Sequence, residues 1–204
     1  MEASAPSVHH GEPEPREWQP RAIWVGGRML CGSITFFFAS FLFAYFYLRA
    51  LNNQHLWKPK HVVVPVGWGT AITACVVASA ALVWWGTIDQ RRRWLKGSVG
   101  LALGLVAIVL QIVTWTQVGF GPTDGGYASV YFGWTSLFFL FVFGSLFWLE
   151  TILATSYRYS GKAPAQDIED PAALNTAELA AFTQYWIVVA AVGVLTWIVL
   201  YLVS

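Results

Sequence analysis

Residues 127–149 read YASVYFGWTSLFFLFVFGSLFWL, a run without a single charged side chain. A helix rises about 1.5 Å per residue, so about 20 apolar residues are enough to cross the hydrocarbon core of a bilayer. The run is too evenly apolar for a strand of a membrane β-barrel, in which polar and apolar residues alternate. It therefore predicts a transmembrane helix.

Four more segments of this kind lie along the chain. The five predicted spans cover about residues 22–48, 63–86, 98–119, 127–157 and 177–203. Of the 204 residues, 56% are hydrophobic and only 11% are charged, and the mean hydropathy is +0.53. A soluble domain has about 25% charged residues. The sequence predicts an all-α polytopic membrane protein, with a bundle of five transmembrane helices over residues 22–204. A soluble enzyme is excluded and, with a net charge of +1, so is a nucleic-acid-binding protein.

The polar segments predict an orientation. Residues 1–21 are rich in Pro and Glu and have no signal-peptide core, so we expect a disordered cytoplasmic tail. With five spans, the N-terminal tail and the loops 87–97 and 158–176 lie on the same side of the membrane. The basic residues on this side are Arg16, Arg21, Arg91, Arg92, Arg93, Lys96, Arg158 and Lys162. The other side holds Arg49, Lys58 and Lys60. Because basic residues favour the cytoplasm, the N-terminus is predicted inside and the C-terminus outside.

The spans contain few groups that do chemistry. The four histidines lie in the tail or loops, and Cys31 and Cys75 have no metal-binding spacing, so no catalytic, cofactor or metal site is predicted in this chain. Arg28 and Glu150 are the ionisable residues within the helical limits. Arg28 is expected to reach the lipid headgroups, or to pair with an anion such as Glu150. Glu150 is equally consistent with a hydrated carboxylate at the rim or a contact to a partner subunit.

Smaller features predict how the helices pack. The spacing of Gly100 and Gly104 indicates close contact between helices, and polar residues such as Gln111 are expected to bond across them. Asn175 followed by Glu178 is typical of a capping box that opens the fifth helix. The first span has more aromatic side chains than a bundle of five helices can hide. We expect part of them to face lipid and part to face another membrane subunit.

Four spans resemble, in order, the short five-helix form of subunit III of the haem–copper oxidases, over about residues 22–203. The first span matches through Ser33, Thr35–Ala39, Phe41, Ala44–Phe46 and Arg49. The third matches through Leu103, Gly104, Gln111 and Trp115. The fourth and fifth match through Ser129, Tyr131, Thr135, Val142, Gly144, Tyr185 and Trp186.

The departures from this family are systematic. Its two intramembrane glutamates correspond to Ile34 and Thr114 here, and its three histidines to Phe138, Phe141 and Ile187. In the family these groups are proposed to influence proton uptake or to join the helices. Their replacement predicts a divergent member, in which a packing role is kept and a proton-related role is in doubt.

The resemblance implies a V-shaped bundle without a catalytic site of its own, in the inner membrane of a prokaryote. It would stabilise a cytochrome c oxidase-type complex of aerobic respiratory electron transport. Haem and copper would lie in subunit I, and subunit II would receive electrons from cytochrome c or a quinol. Structural phospholipid is expected in a cleft of the bundle. The expected contacts to lipid or subunits are Arg28, Arg49, Gln111, Trp115, Glu150 and Trp186.

Two other functions stay open from the sequence. The chain is also consistent with an accessory subunit of a nitric oxide reductase, which belongs to the same superfamily as the oxidases. A membrane scaffold unrelated to respiration would have a similar composition. A small transporter would need internal repeats or broken helices with a polar midplane site, and the sequence has neither.

Overall fold

A computed structural model describes residues 18–51, 57–89, 92–158 and 171–203. In these ranges the chain forms five long helices: α1 (Gln19–Ala50), α2 (Val66–Ile88), α3 (Arg93–Gln117), α4 (Gly126–Arg158) and α5 (Pro171–Trp197). Each is part of a segment long and apolar enough to cross a membrane, which confirms the predicted five-helix membrane bundle. Of the predicted tail, residues 1–17 lie outside the described residues, and 19–21 already belong to α1.

Most helix ends lie beyond the predicted spans, because hydropathy marks only the part of a helix that lies in hydrocarbon; α3 instead ends at Gln117, two residues before its predicted end. The clearest case is α5, which begins at Pro171, a residue well suited to the first helical position. Asn175 therefore lies inside the helix, and the predicted capping box is wrong. The Asn175 side chain instead donates Nδ2 to Ser156 Oγ of α4, at 2.6 Å.

The start of α2 and the end of α5 have local causes. The second helix begins at Val66 rather than near Val63, because Pro65 disfavours the helical conformation of the residue before it. After Trp197, α5 widens into a π-helical turn, Ile198–Leu202, in which the Val203 amide donates to the Ile198 carbonyl at 3.0 Å.

The fifth helix lies at the centre of the bundle. It packs against α1, α2 and α4, while α3 packs between α2 and α4. Phe182, Trp186 and Leu200 on this helix are fully buried. The first helix of the chain is thus held mainly by the last.

Glycines bring α3 close to both of its neighbours. A Cβ at Gly104 would lie 2.5 Å from the Leu146 side chain of α4, and one at Gly100 would lie 3.2 Å from the Ser79 carbonyl oxygen of α2. Side chains at these positions would push the helices apart. The small-residue spacing in the sequence predicts this close packing.

Polar contacts join the helices at the end where α2 meets α3. Lys96 forms an ion pair with Asp89, and Arg93 Nη1 donates to Thr176 Oγ1 of α5 at 3.2 Å. Arg92 has a left-handed backbone (φ 57°), which lets the chain turn directly into α3.

Candidate functional site: buried polar contacts and uncovered faces

A tryptophan and a serine connect three helices in the interior. Trp186 of α5 is 0% exposed, and its Nε1 donates to Ser79 Oγ of α2 at 3.1 Å. The Ser79 hydroxyl in turn donates to the Gly100 carbonyl oxygen of α3 at 2.6 Å. In hydrocarbon no water competes for these groups, so the relay fixes how α2, α3 and α5 are rotated against one another.

A second polar cluster joins α3, α4 and the end of α5. Trp115 Nε1 donates to Thr135 Oγ1 at 3.1 Å, and the Tyr131 and Tyr201 hydroxyls lie 3.1 Å apart. Gln111 of α3 is 2% exposed, and its Nε2 has no hydrogen-bond partner among the described residues. Beside it lies a cavity of about 20 Å³.

The π-helical turn places Tyr201 in this cluster. Its ring lies over Gly69 of α2, where an added Cβ would come within 2.5 Å of the ring. The carbonyl oxygen of Leu200, the residue before it, accepts a hydrogen bond from the Tyr127 hydroxyl. The end of α5 is therefore held from two sides, by α2 and by α4.

Two basic residues lie near the end of α5. Arg49 Nη1 donates to the Val203 carbonyl oxygen at 2.5 Å, and Lys58 Nζ lies 4.7 Å from the centre of the Tyr127 ring. Burial lowers the pKa of Lys58, and the positive charge of Arg49 lowers it further. This rim of the bundle is therefore positively charged and partly dehydrated.

Arg28 and Glu150, the ionisable residues predicted within the spans, both have exposed side chains. The Arg28 guanidinium stacks 3.5 Å over the Trp24 ring. Glu150 has no ion-pair partner within the described residues, so it does not pair with Arg28 there. Both side chains are open to lipid headgroups or to another subunit.

The other predicted contact residues fall into two groups. Gln111 and Trp186 lie inside the bundle, where they contact other helices of the same chain, and Trp115 is half-buried with its N–H turned inward. Arg49 is exposed at the rim. Of the six, only Arg28, Arg49 and Glu150 present exposed side chains to the surroundings.

The first helix is the least buried of the five. In an apolar stretch of 18 residues, 17% of the residues are buried in α1. The corresponding share is 44% in α4 and 56% in the segment of α5. Phe36 and Phe43 are 79% and 71% exposed, and they lie two helical turns apart on one side. We call Met29, Phe36, Phe43 and Tyr47 the α1 face.

A groove of about 220 Å³ runs between α1, α4 and α5. Its lining is largely apolar and includes Leu30, Leu140, Phe141 and Trp148. The polar part is a hydrogen bond between Ser145 Oγ and the Tyr185 hydroxyl, at 3.1 Å. The volume and the apolar lining of the groove suit part of an acyl chain.

Some of these contacts have no signal in the sequence. The pairing of Tyr131 with Tyr201 depends on the π-helical turn, and the hydrogen bond from Trp197 Nε1 to Thr70 Oγ1 (3.1 Å) joins helices far apart in the chain. Ser79 is visible only as one small residue in an apolar run. The signal that could have identified it is a hydroxyl on an otherwise apolar span, since such groups form hydrogen bonds to neighbouring helices.

Comparison of the chain with models of known protein families and with curated proteins gives no match. Among the described residues, no three His, Cys, Asp or Glu side chains lie close enough together to hold a metal ion. What the chain does is therefore argued from its own packing and polar contacts.

Proposed function

We propose that this chain is a non-catalytic subunit of a haem–copper terminal oxidase in the inner membrane of a prokaryote, similar to subunit III. Its role is to stabilise the oxygen-reducing core of an aerobic respiratory chain. Haem and copper belong to a partner subunit I, and electrons enter the complex through a subunit II. The N-terminus faces the cytoplasm in this proposal.

The observation that carries the proposal is the chemistry of the interior. Within the described residues no Lys, Arg, Asp, Glu or His side chain is buried. At positions where the resembled family has Glu or His, this chain has buried Ile34, Thr114 and Phe138. An interior of this kind supports a role in packing and gives no relay for protons.

Aromatic rings replace the polar groups as the contact between α1 and α4. The Phe38 ring centre lies 5.9 Å from that of Phe138 and 5.8 Å from that of Phe141. Such pairs contribute about 0.5–1.5 kcal/mol each beyond the area they bury. The replacements thus keep the two helices together without hydrogen bonds.

The α1 face is our candidate for the contact with the partner. It belongs to the least buried helix, and its side chains Phe36 and Phe43 project from one side. Flat aromatic rings on a rigid helix suit a protein surface, since contacts between membrane helices depend on close packing. The groove between α1, α4 and α5 would hold the structural phospholipid of the complex.

Co-purification tests the function. The tagged chain, solubilised gently from its native host, is expected to bring down a haem protein with a reduced-minus-oxidised absorbance spectrum, whereas an untagged strain gives none. The captured complex is expected to consume oxygen. Reduction of nitric oxide without oxygen consumption would instead identify a nitric oxide reductase, and absence of haem would refute both assignments.

Paired variants test the contact surface. Replacing Phe36 and Phe43 by Ala on α1 is expected to lower the haem recovered per tagged chain several-fold. The matched control replaces Phe143 and Phe147 of α4, which are 60% and 66% exposed, and should leave the recovery unchanged. Equal losses from both pairs would show that the α1 face is not the specific contact.

A further inference from the structure

The cavity beside Gln111 lies among α2, α3, α4 and α5, away from the surfaces used in the proposed function. It has a volume of about 20 Å³. A single water molecule needs at least about 10–15 Å³ measured in this way. The space therefore suits one small molecule, and an acyl chain or a larger solute does not fit.

The polar groups around the cavity include one unpaired donor. Gln111 lines it, is 2% exposed, and finds no hydrogen-bond partner for Nε2 in the part of the chain that the structure describes. A buried amide without a partner destabilises a bundle in a hydrocarbon environment, where no solvent can replace the missing bond. The occupant of the cavity should therefore accept a hydrogen bond.

The other polar groups act as acceptors. The hydroxyls of Thr73, Thr135 and Thr196 line the cavity, and each donates its hydrogen to a carbonyl of its own helix, at 2.9, 2.7 and 2.8 Å. Their oxygens keep lone pairs that can accept. Tyr201 also lines the cavity, with its hydroxyl 3.1 Å from that of Tyr131. The occupant should therefore also donate hydrogen bonds.

We propose that this cavity binds one water molecule, which accepts a hydrogen bond from Gln111 Nε2 and donates to the surrounding hydroxyl oxygens. Water is the small molecule that accepts and donates at once, and buried waters make about three such bonds. A bare ion does not fit, because no charged side chain is among the residues that line the site. The water joins the helices through a contact that the side chains do not complete.

Radiolytic hydroxyl-radical labelling of the protein in lipid nanodiscs tests the proposal, because radicals formed from a bound water oxidise the side chains beside it. Phe138 and Phe182 are 3% and 0% exposed, and of the two only Phe138 lines the cavity. We expect several-fold more oxidation of Phe138 than of Phe182. Equal oxidation of the two would overturn the proposal without any variant.

Two substitutions identify the residue that holds the water. Gln111→Leu is expected to reduce oxidation of Phe138 to the level of Phe182, whereas Gln117→Leu, at the exposed end of α3, should leave it unchanged. Gln111→Met, which is closer to Gln in shape, replaces the Leu variant if the latter does not fold. Undiminished oxidation of Phe138 in a folded Gln111 variant would contradict the proposed site.

Discussion

Three tryptophan indole N–H groups donate hydrogen bonds to hydroxyl oxygens on neighbouring helices. Trp115 donates to Thr135, Trp186 to Ser79 and Trp197 to Thr70, each at 3.1 Å. A hydrogen bond between membrane helices contributes modestly, about 0.6 kcal/mol on average. Its geometry is nevertheless demanding, because each bond forms only when both helices are rotated correctly. These pairs therefore define the arrangement of the helices more than they add to its stability.

A double-mutant cycle on Trp186 and Ser79 measures one of these bonds. Trp186→Phe keeps a ring against Phe182, whose ring centre is 5.8 Å away, but removes the N–H. We expect it to lower the free energy of unfolding by about 1–3 kcal/mol, from the lost bond and the smaller ring. Combination with Ser79→Ala should show a coupling of about 0.6–1.7 kcal/mol in mixed micelles.

The control for this cycle is Trp84→Phe, on the exposed side of α2. Trp84 is 52% exposed, and its replacement should change the free energy of unfolding by less than about 0.5 kcal/mol. If the losses at Trp186 and Ser79 are additive, the relay through Ser79 has no energetic role.

Lys58 gives a prediction that depends on pH. Acylation requires the neutral amine, and burial together with the Arg49 charge lowers the pKa of Lys58. The pH midpoint for acylation of Lys58, followed by mass spectrometry, should lie below that of a lysine in an unstructured peptide. Arg49→Gln removes the neighbouring positive charge and should raise the midpoint. Arg21→Gln, at the other end of α1, should not, and an equal effect of both variants would contradict the prediction.

At the scale of helices, the π-helical turn at the end of α5 changes the direction of the residues that follow it. An α-helix that continued through Ile198–Leu202 would turn Tyr201 away from Tyr131. The turn is supported by the hydrogen bond from Tyr127 to the Leu200 carbonyl and by the space over Gly69. The glycine and the widened turn therefore act together.

Two glycines of α2 test this dependence. Gly69→Ala would place a Cβ 2.5 Å from the Tyr201 ring, whereas a Cβ at Gly67 would have no described neighbour within 4 Å. We expect Gly69→Ala to lower the free energy of unfolding by about 1–3 kcal/mol, through overpacking. Gly67→Ala should raise it by about 0.5–1 kcal/mol, since Ala favours a helix. Equal changes in the free energy of unfolding of the two variants would show that the Tyr201 ring can move aside without destabilising the bundle.

The number of helices was predictable and their ends were not. A run such as residues 127–149 has one stable form in lipid, because its backbone must satisfy its own hydrogen bonds. The ends depend on headgroup depth and on local contacts such as Asn175 with Ser156. The sequence identifies Gln111 as a polar residue on an apolar span. It does not predict the cavity beside it, because residues of four helices line that cavity. Which helix faces lie outward also depends on that packing.

At the scale of the molecule, orientation in the membrane is a prediction of its own. Lys60 and Arg92 are both exposed, in the loops before α2 and before α3. With an inside N-terminus, Lys60→Cys should react with an impermeant maleimide in intact cells, and Arg92→Cys only after permeabilisation. Both variants are made in a protein in which Cys31 and Cys75 are replaced by Ser, so that only the introduced cysteine reacts with the maleimide. The reverse pattern of labelling would mean that the bundle is inverted.

The pairing of the first helix with the last has a consequence for biosynthesis. The Arg49 side chain donates to the Val203 carbonyl, which is 154 residues later in the chain. At a synthesis rate of about 5–20 residues per second, the ribosome makes Val203 roughly 8 to 30 s after Arg49. Until α5 has emerged from the ribosome, α1 has no complete partner within the chain. The insertion machinery or the surrounding lipid must shelter its aromatic side chains during that interval, so a ribosome stalled before α5 would leave α1 exposed to quality control.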